Sequence, residues 1–501
     1  MTDRVLTRRR TAPLRWRVLP IGFLIVIAAV AVAACSADDD AATTTTSTTT
    51  TTPEPTTTPS TTEPPGSAGS SAADRHTPLA RSWTVQVGGA GNDALAALTG
   101  RDDAVVAVGS TDAGVSKPTA GATDILAVTV AAADGAVRST SQAGSAGSDA
   151  ATAVAGTESG SLICGSTDGT LGREVGGGTD GYCTVMSVAG TINPATQDGG
   201  RDDDRFTGVT FDDEAGHGYL VGATRGLFPG AQDPTGGGLG EGDVLFSRID
   251  DQGERAWTRQ FGSDGTDRGT ATTIAPDGDG VVIGTTDGVL RGTSAGGTDG
   301  FVARFDQSGN PRWLNQFGSN GVDLPSAVAL GGDAARGTET IGVTGSTTGT
   351  AGGPIAGASD VIVASFSSAG DRHWLTQTGS TAADVGAGIV IDGSTTYVAG
   401  TTAGTLAAAE GQTGDPVAAV GGRDAFLAAF DTETGAFLWV TQFGSPGNDD
   451  VSGITRTEDG HLILSGTTDG QVGETPPAGG TDGFLVAFEL PSSGGASASK
   501  V

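Results

Sequence analysis

Seven aspartates recur in one local pattern, each seven residues after the Gln of a Gln-x-Gly tripeptide: Asp93, Asp149, Asp204, Asp267, Asp323, Asp384 and Asp449. Seven carboxylates brought to one mouth of a channel would attract a cation. Alternatively, each carboxylate accepts hydrogen bonds from the backbone and from hydroxyl groups, and so fastens neighbouring repeats together. Because the pattern is the same in every copy, the sequence favours this second interpretation.

Other chemistry-bearing residues are few. Residues 276–280 read Pro-Asp-Gly-Asp-Gly, an alternation typical of calcium loops, but a third carboxylate and the closing glutamate are missing. The chain has no Gly-x-Ser-x-Gly elbow and no Cys/His/Asn set after Cys35. Its four histidines are dispersed without ligand spacing: His76, His217, His373 and His461. We therefore predict no catalytic residue, no metal and no cofactor.

Two cysteines, Cys164 and Cys183, fall in neighbouring predicted strands of one repeat. An exported chain meets oxidising conditions, in which such a pair can form a disulfide. The sequence does not give the register that would bring their Cα atoms close enough. A disulfide and two buried thiols both remain open.

Composition excludes several classes of protein. The 501 residues include 84 glycines, which would destabilise the interior of long helices. The formal net charge is -31, whereas nucleic-acid binding requires a basic surface. We predict an all-β protein that does not bind nucleic acid.

The N-terminal segment has the pattern of an export signal. Arginines in the first 17 residues precede an apolar run at 21–34. A helix of that length rises about 21 Å and is too short to span a bilayer. Residues 32–35, Val-Ala-Ala-Cys, resemble the lipobox of bacterial lipoproteins. The resemblance implies cleavage before Cys35, acylation of its thiol with palmitate, and anchoring at the extracytoplasmic face of the cell membrane. The alternative is an uncleaved anchor with an incidental cysteine.

Low-complexity segments flank the folded part. Residues 35–80 are rich in Thr, Pro and Ser and have almost nothing to bury, so we predict a disordered linker after the signal peptide at 1–34. Residues 491–501 are predicted to be a flexible tail.

Residues 81–490 contain seven copies of one unit, spaced 55 to 66 residues apart. A Gly-x-Thr marker begins at Gly109, Gly165, Gly222, Gly284, Gly345, Gly400 and Gly466. A second set of aspartates opens apolar runs at Asp124, Asp180, Asp243, Asp299, Asp360, Asp424 and Asp482.

Each unit reads as four short strands separated by glycine-rich and Asx turns. In the fourth unit these strands are expected at 270–275, 281–285, 301–306 and 311–317. Seven such units predict a seven-bladed β-propeller of four-stranded antiparallel blades. The seventh unit has only three strands, and a spare strand at 82–86 is expected to pair with 484–488 and close the ring.

Three short patterns resemble a known family: Trp-x-x-Gln-Phe-Gly-Ser-x-Gly-x-Asp, Gly-x-Thr-x-Gly and Gly-Gly-x-Asp-x-Phe. They are similar to the bacterial SBBP repeat, the seven-bladed β-propeller repeat of exported proteins. The resemblance covers 81–490, is weak in the second unit where the aromatic positions are lost, and implies the fold but no catalytic residues. Residues 429–439 are similar to the repeat of quinone-cofactor dehydrogenases, but no adjacent cysteine pair is present.

The sequence leads to a lipid-anchored, monomeric propeller that is not an enzyme and acts at the cell envelope either by binding an unknown protein or glycan or as a scaffold. The alternative is an envelope hydrolase or lyase with its site at the axial mouth. The inner-strand pattern is nearly uniform, small and apolar, which argues against catalysis. The long connections between second and third strands are expected to bind the partner, with Leu227 and Phe228 as an apolar pair in one of them.

Overall fold

Runs rich in Val, Ile, Thr and Phe, bounded by aspartate and glycine, fold as strands throughout the described part of the chain. The computed structural model describes residues 74–491, apart from 173–175, 236–239, 333–337 and 414–418. Within these residues the only helical turn is a short 3-10 turn at Asp74–His76. The strands form seven four-stranded antiparallel sheets, so the predicted all-β seven-bladed propeller is confirmed.

The strands are numbered in chain order, and β1 is Arg81–Val87. Blade one contains β2 (Asp93–Arg101), β3 (Ala104–Thr111), β4 (Asp124–Ala131) and β5 (Val137–Ala143). Blade two contains β6 (Asp149–Thr157), β7 (Gly160–Thr167), β8 (Asp180–Ser187) and β9 (Thr196–Asp198). Blade three contains β10 (Asp204–Asp212), β11 (His217–Thr224), β12 (Asp243–Ile249) and β13 (Arg255–Phe261).

Blade four contains β14 (Asp267–Ile274), β15 (Gly280–Thr286), β16 (Asp299–Phe305) and β17 (Pro311–Phe317). Blade five contains β18 (Asp323–Gly331), β19 (Thr340–Thr347), β20 (Asp360–Ser367) and β21 (Arg372–Thr378). Blade six contains β22 (Asp384–Asp392), β23 (Thr395–Thr402), β24 (Asp424–Asp431) and β25 (Phe437–Phe443). Blade seven contains β26 (Asp449–Arg456), β27 (His461–Thr468) and β28 (Asp482–Glu489), with β1 as its fourth strand.

The ring closes through β1, as predicted. This strand pairs antiparallel with β28, with Gln86 opposite Phe484 and Trp83 opposite Ala487. Blade seven is therefore built from the two ends of the described chain, and β28 is not left as an open edge.

Each first strand carries a β-bulge shortly after its aspartate, for example between Gly269 and Ala271. The strand therefore begins at the aspartate, three residues earlier than the apolar pattern of the fourth unit indicates. The small residue after the bulge faces the next inner strand: a Cβ on Gly388 would lie 2.7 Å from the backbone nitrogen of Ile454. Crowding of the inner strands explains why this position is always Ala or Gly.

The hydrophobic core lies between neighbouring blades rather than in one central mass. Tyr219 and Phe246 of blade three pack with Phe301 and Phe305 of blade four. The junction between blades seven and one is filled in the same way, by residues that include Leu95 and Leu485. Each blade is therefore stabilised by both of its neighbours.

The ring has two distinct faces. The face we call the turn face carries the tight turns between first and second strands and between third and fourth strands. The other, the crossing face, carries the loops between second and third strands and the crossings from each fourth strand to the next blade.

Tryptophans link neighbouring blades at the turn face. Trp313 of blade four donates its indole N–H to the Ser368 carbonyl of blade five at 2.9 Å, and Trp83 of blade seven donates to Ala132 of blade one at 2.9 Å. The turn that receives Trp313 contains Gly370 at φ 91°, against the indole ring, where a Cβ would clash. These aromatic positions therefore set the spacing of the blades.

Residues 74–80, at the end of the segment predicted to be linker, contact blade six. The Arg75 guanidinium lies 2.6 Å from the Asp431 carboxylate, and the His76 carbonyl accepts from the Thr413 N–H at 3.0 Å.

Candidate functional site

Fourteen aspartates form a buried frame at the crossing face, two in each blade. The first-strand aspartates open the innermost strands and are 0 % exposed: Asp93, Asp149, Asp204, Asp267, Asp323, Asp384 and Asp449. The third-strand aspartates open the third strands and are at most 4 % exposed: Asp124, Asp180, Asp243, Asp299, Asp360, Asp424 and Asp482.

The first-strand aspartates bind the crossing that leads into their own blade. Asp267 accepts from the Ser263 N–H at 2.6 Å and from the Ser263 hydroxyl at 2.9 Å. Asp149 also accepts from the Thr167 hydroxyl, which belongs to the Gly-x-Thr marker at the end of the second strand. The carboxylate thus joins the crossing, the first strand and the second strand.

Each third-strand aspartate binds the glutamine near the end of the fourth strand in its own blade. Blade six shows the contacts. Gln442 donates from Nε2 to Asp424 at 2.9 Å and to the Gly404 carbonyl at 2.9 Å. Its Oε1 accepts from the Leu406 N–H at 3.3 Å. The same glutamine-to-aspartate bond is present in all seven blades: from Gln86, Gln142, Gln197, Gln260, Gln316, Gln377 and Gln442.

The three repeated sequence markers are therefore parts of one hydrogen-bonded frame. Burial raises the pKa of several of its carboxyls, and the neighbouring aspartate across the crossing raises that of Asp449 further. The groups with a raised pKa are Asp93, Asp204, Asp243, Asp267, Asp384 and Asp449. Every first-strand aspartate accepts from a protein donor, which supports a scaffolding role for this ring.

Among the described residues, no three His, Cys, Asp or Glu side chains lie close enough together to hold a metal ion. In the calcium-like run at 276–280, both carboxylates face arginine. Arg304, 4 % exposed, lies 3.0 Å from Asp279 and 2.8 Å from Asp277, and Arg312 also pairs with Asp279. Guanidinium groups occupy the positions from which this run would bind a cation.

The cysteines predicted to be functional fall in two places. Cys35 lies outside the described residues. Cys164 and Cys183 are direct partners in the register of β7 and β8, with Cα atoms 4.1 Å apart, and are joined by a disulfide. Both are buried, so the bond lies inside blade two rather than on its surface.

The apolar pair in the blade-three loop is separated by the structure. Leu227 is 77 % exposed at the crossing face, whereas Phe228 is 4 % exposed. Phe228 packs against Phe206, with ring centroids 6.5 Å apart, and under the Arg255 guanidinium at 4.6 Å. Phe228 therefore belongs to the hydrophobic core, and of this pair only Leu227 is available to a partner.

A polar cavity of about 450 Å³ opens on the crossing face between blades three and four. Arg205 and Arg268, the second residues of the first strands of these two blades, both line it and are exposed. Arg225 also lines it and lies 3.2 Å from Asp203. Among the residues that the structure describes, Arg205 and Arg268 have no ion-pair or hydrogen-bond partner for their guanidinium groups.

Arg205 and Arg268 were not among the predicted site residues, although the sequence distinguishes them from the matching residues of other blades. The residue after the first-strand aspartate differs from blade to blade: Ala94, Ala150, Arg205, Arg268, Leu324, Val385 and Asp450. The inner strands are thus uniform at the aspartate and at the small residue, but not at the position between them. Two consecutive arginines at this position occur at the junction of blades three and four.

Fold and frame together define a seven-bladed β-propeller fastened by buried carboxylates. No family model matches the chain, and no curated protein matches it. Among the described residues no helix is long and apolar enough to cross a membrane.

The comparison with solved structures finds matches of low sequence identity. The Pan2 WD40 domain of Neurospora crassa is 10% identical, with a TM-score of 0.43, over 79% of this chain and 89% of that chain. The periplasmic gluconolactonase of Pseudomonas aeruginosa is 12% identical, with a TM-score of 0.44, over 77% of this chain and 99% of that chain. The quinohemoprotein alcohol dehydrogenase of Comamonas testosteroni is 12% identical, with a TM-score of 0.38, over 85% of this chain and 80% of that chain.

Proposed function

We propose that this chain is an SBBP-type lipoprotein of the bacterial cell envelope, anchored through Cys35, whose propeller binds a partner without catalysing a reaction. The lipobox-like residues 32–35 and the repeat patterns support the anchor and the family. The binding surface is the crossing face.

One observation carries the choice of face. Of the eight large apolar side chains exposed in the described residues, six lie at the crossing face: Leu227, Val289, Val322, Leu324, Ile355 and Val420. They belong to blades three to six, which are contiguous in the ring. Val137 and Val188 are at the turn face. Scattered apolar residues are normal, but a concentration on one side of a ring is typical of an interaction surface.

The chemistry of this face favours binding over catalysis. Its fourteen buried aspartates are engaged in the frame, and their strands hold the variable loops in fixed positions. A rigid repeated frame that presents variable loops is a common arrangement for recognition.

The test compares the two faces. The full chain carrying Cys35→Ser, which removes the acylation site, and single variants of it are mixed with an envelope fraction, and the bound share is measured by co-sedimentation. Leu227→Ser and Val420→Ser should weaken retention, whereas Val137→Ser and Val188→Ser, which remove exposed apolar side chains from the turn face, should leave it unchanged. Equal losses from both faces would contradict the proposal. Release of soluble fragments from the envelope polysaccharide by the full chain, detected by mass spectrometry, would favour the hydrolase alternative.

A further inference from the structure

We propose that the cavity between blades three and four binds a hydroxylated monocarboxylate of the sugar-acid type, and that Arg205 and Arg268 hold its carboxylate. The inference rests on the proposed function in that both place binding at the crossing face. It adds a site, a ligand class and the residues that select it.

The cavity contains two positive charges that no group in the described part of the chain pairs with. Arg205 and Arg268 lie on neighbouring inner strands, line one cavity and have no partner among the described residues. Two like charges facing one small space repel each other unless an anion lies between them. The third arginine of the cavity, Arg225, is already paired with Asp203 at 3.2 Å. The unsatisfied charge therefore belongs to the Arg205 and Arg268 pair.

Comparison of the seven blades shows that the blade structure does not require these two arginines. A scaffolding residue recurs in every blade, as the aspartates and glutamines do. The position after the first-strand aspartate is small or apolar in blades one, two, five and six, as Ala94, Ala150, Leu324 and Val385 show. Arginine at this position is thus not needed to build a blade. Its occurrence in two adjacent blades that share a cavity points to a ligand.

The number of charges indicates a monoanion. Asp267 lines the cavity but is buried and bound to Ser263, and Asp203 is paired with Arg225. This leaves two free guanidinium groups and the exposed Glu241, whose carboxylate also lines the cavity. One carboxylate accepts the planar arginine donors in pairs and balances the remaining charge. A dianionic phosphate would add charge beside Glu241 in a chain whose net charge is -31.

The polar lining indicates hydroxyl groups on the ligand. Glu241 is an acceptor, and Thr266, which is partly exposed, also lines the cavity and carries a hydroxyl that can donate or accept. The cavity volume of about 450 Å³ is in the range of small-molecule sites and holds one or two sugar rings. Together these features fit a uronate unit of an acidic polysaccharide.

The experiment is isothermal titration calorimetry of the full chain with trigalacturonate, of which one uronate unit, with its single carboxylate, enters the cavity while the others extend into solvent. Three competing probes separate charge from shape: its methyl ester, which keeps the hydroxyls and loses the charge, inorganic phosphate, and acetate, which keeps the carboxylate and loses the hydroxyls. We expect trigalacturonate to bind more tightly than any of them. Arg205→Ala and Arg268→Ala should each weaken binding about 10- to 100-fold, as for the loss of a charge-assisted hydrogen bond.

Matched variants control for net charge and folding. Arg291→Ala removes an exposed arginine from the same face outside the cavity and should change the affinity less than about twofold. Arg205→Lys keeps the charge but not the fork and should recover only part of the affinity. Glu241→Gln should narrow the preference for trigalacturonate over phosphate, and circular dichroism melts should be unchanged for all of these surface variants.

The outcomes are separable from those of the proposed function. Absence of binding at about 10 mM trigalacturonate, equal binding of the methyl ester, or unchanged affinity in both alanine variants overturns the sugar-acid site. Envelope retention that still depends on Leu227 would then leave the crossing face as the binding surface. If trigalacturonate binds as expected while Leu227→Ser has no effect on retention, the sugar-acid site stands and the broader surface is wrong.

Discussion

Replacement of Gln442 by leucine isolates one glutamine-to-aspartate contact of the frame, because leucine keeps much of the side-chain volume and removes only the amide. Gln442 is 0 % exposed and donates to Asp424 and to the Gly404 carbonyl, both at 2.9 Å. It also accepts from the Leu406 N–H at 3.3 Å. Asp424 retains the Val420 N–H at 2.9 Å, so it stays partly satisfied.

The expected loss follows from these bonds. A hydrogen bond to a charged group contributes about 1.5–3 kcal/mol, and each backbone group left without its partner costs about 1 kcal/mol. The free energy of unfolding should therefore fall by about 3–5 kcal/mol. With roughly 400 ordered residues and about 2.1 cal/mol/K of unfolding entropy per residue, the Tm should fall by about 3–6 °C.

Differential scanning calorimetry measures this shift, with Gln471→Leu as the control. Gln471 is exposed and bonds only to nearby carbonyls in its own loop, at 3.0 and 3.2 Å. Its substitution should change the free energy of unfolding by less than about 0.5 kcal/mol. If Gln442→Leu melts within 1 °C of the wild type, as expected for the control, the frame does not fasten the blade.

A second substitution at the same position tests the electrostatic part of the argument. Gln442→Glu places a carboxylate beside Asp424 and donates a hydrogen bond only when protonated. Its Tm deficit should be larger than that of the leucine variant at pH 7 and should shrink as the pH falls toward 4. A deficit that is the same at both pH values would refute this account of the contact.

Three further predictions concern closure, the anchor and pH. Deletion of residues 81–88 removes β1, leaves β28 unpaired, and should lower the Tm sharply or cause aggregation, whereas removal of residues 492–501 should not. Cys35→Ser should abolish labelling of the full chain with radioactive palmitate, whereas Cys164→Ser should leave the labelling intact. Because burial raises the pKa of six frame aspartates, the stability they contribute is fully present below pH 3.8 and is lost as the pH rises through their folded pKa, so these groups should raise the Tm as the pH is lowered from 7.5 toward 4.

Each of these predictions has a contradicting result. An unchanged melt after deletion of 81–88 would contradict the closing role of β1. Equal palmitate labelling of the Cys35→Ser variant would remove the basis for the anchor. A Tm that stays level or falls as the pH is lowered from 7.5 toward 4 would contradict a stabilising effect of protonating the frame, since the aspartates with a lowered pKa, such as Asp431 beside Arg75, lose their contribution only as the pH falls through that lowered pKa.

The fold could be predicted because the repeated residues mark the ends of strands. Gly-x-Thr ends second strands, and the two sets of aspartates open first and third strands, so these local markers locate one end of three of the four strands in a blade. The unit with the poorest match to the repeat pattern is also the blade with the shortest fourth strand. Residues 194–195 precede β9, which is only three residues long where other fourth strands have seven, and its aromatic positions are lost.

The details of the predicted site residues could not be obtained from the sequence for geometric reasons. Leu227 and Phe228 look alike in a polar loop, but adjacent side chains point in different directions, and only the loop geometry decides which one is buried. Cys164 and Cys183 lie in neighbouring strands in any register, but a shift by one residue would turn one of them to the opposite face of the sheet. In the structure they lie directly opposite each other.

A repeat protein separates its scaffold from its function more clearly than a single-copy fold does. The residues that recur in all seven blades are those that the blade structure requires: the aspartates, the glutamine and the small residue of the inner strand. A residue that differs from the repeat pattern is not needed to build the blade. Packing therefore does not explain a charged residue that occurs at the same position in two adjacent blades and lines one cavity. Arg205 and Arg268 satisfy both conditions. In this propeller, the positions that vary between blades are therefore the ones that carry information about its ligand.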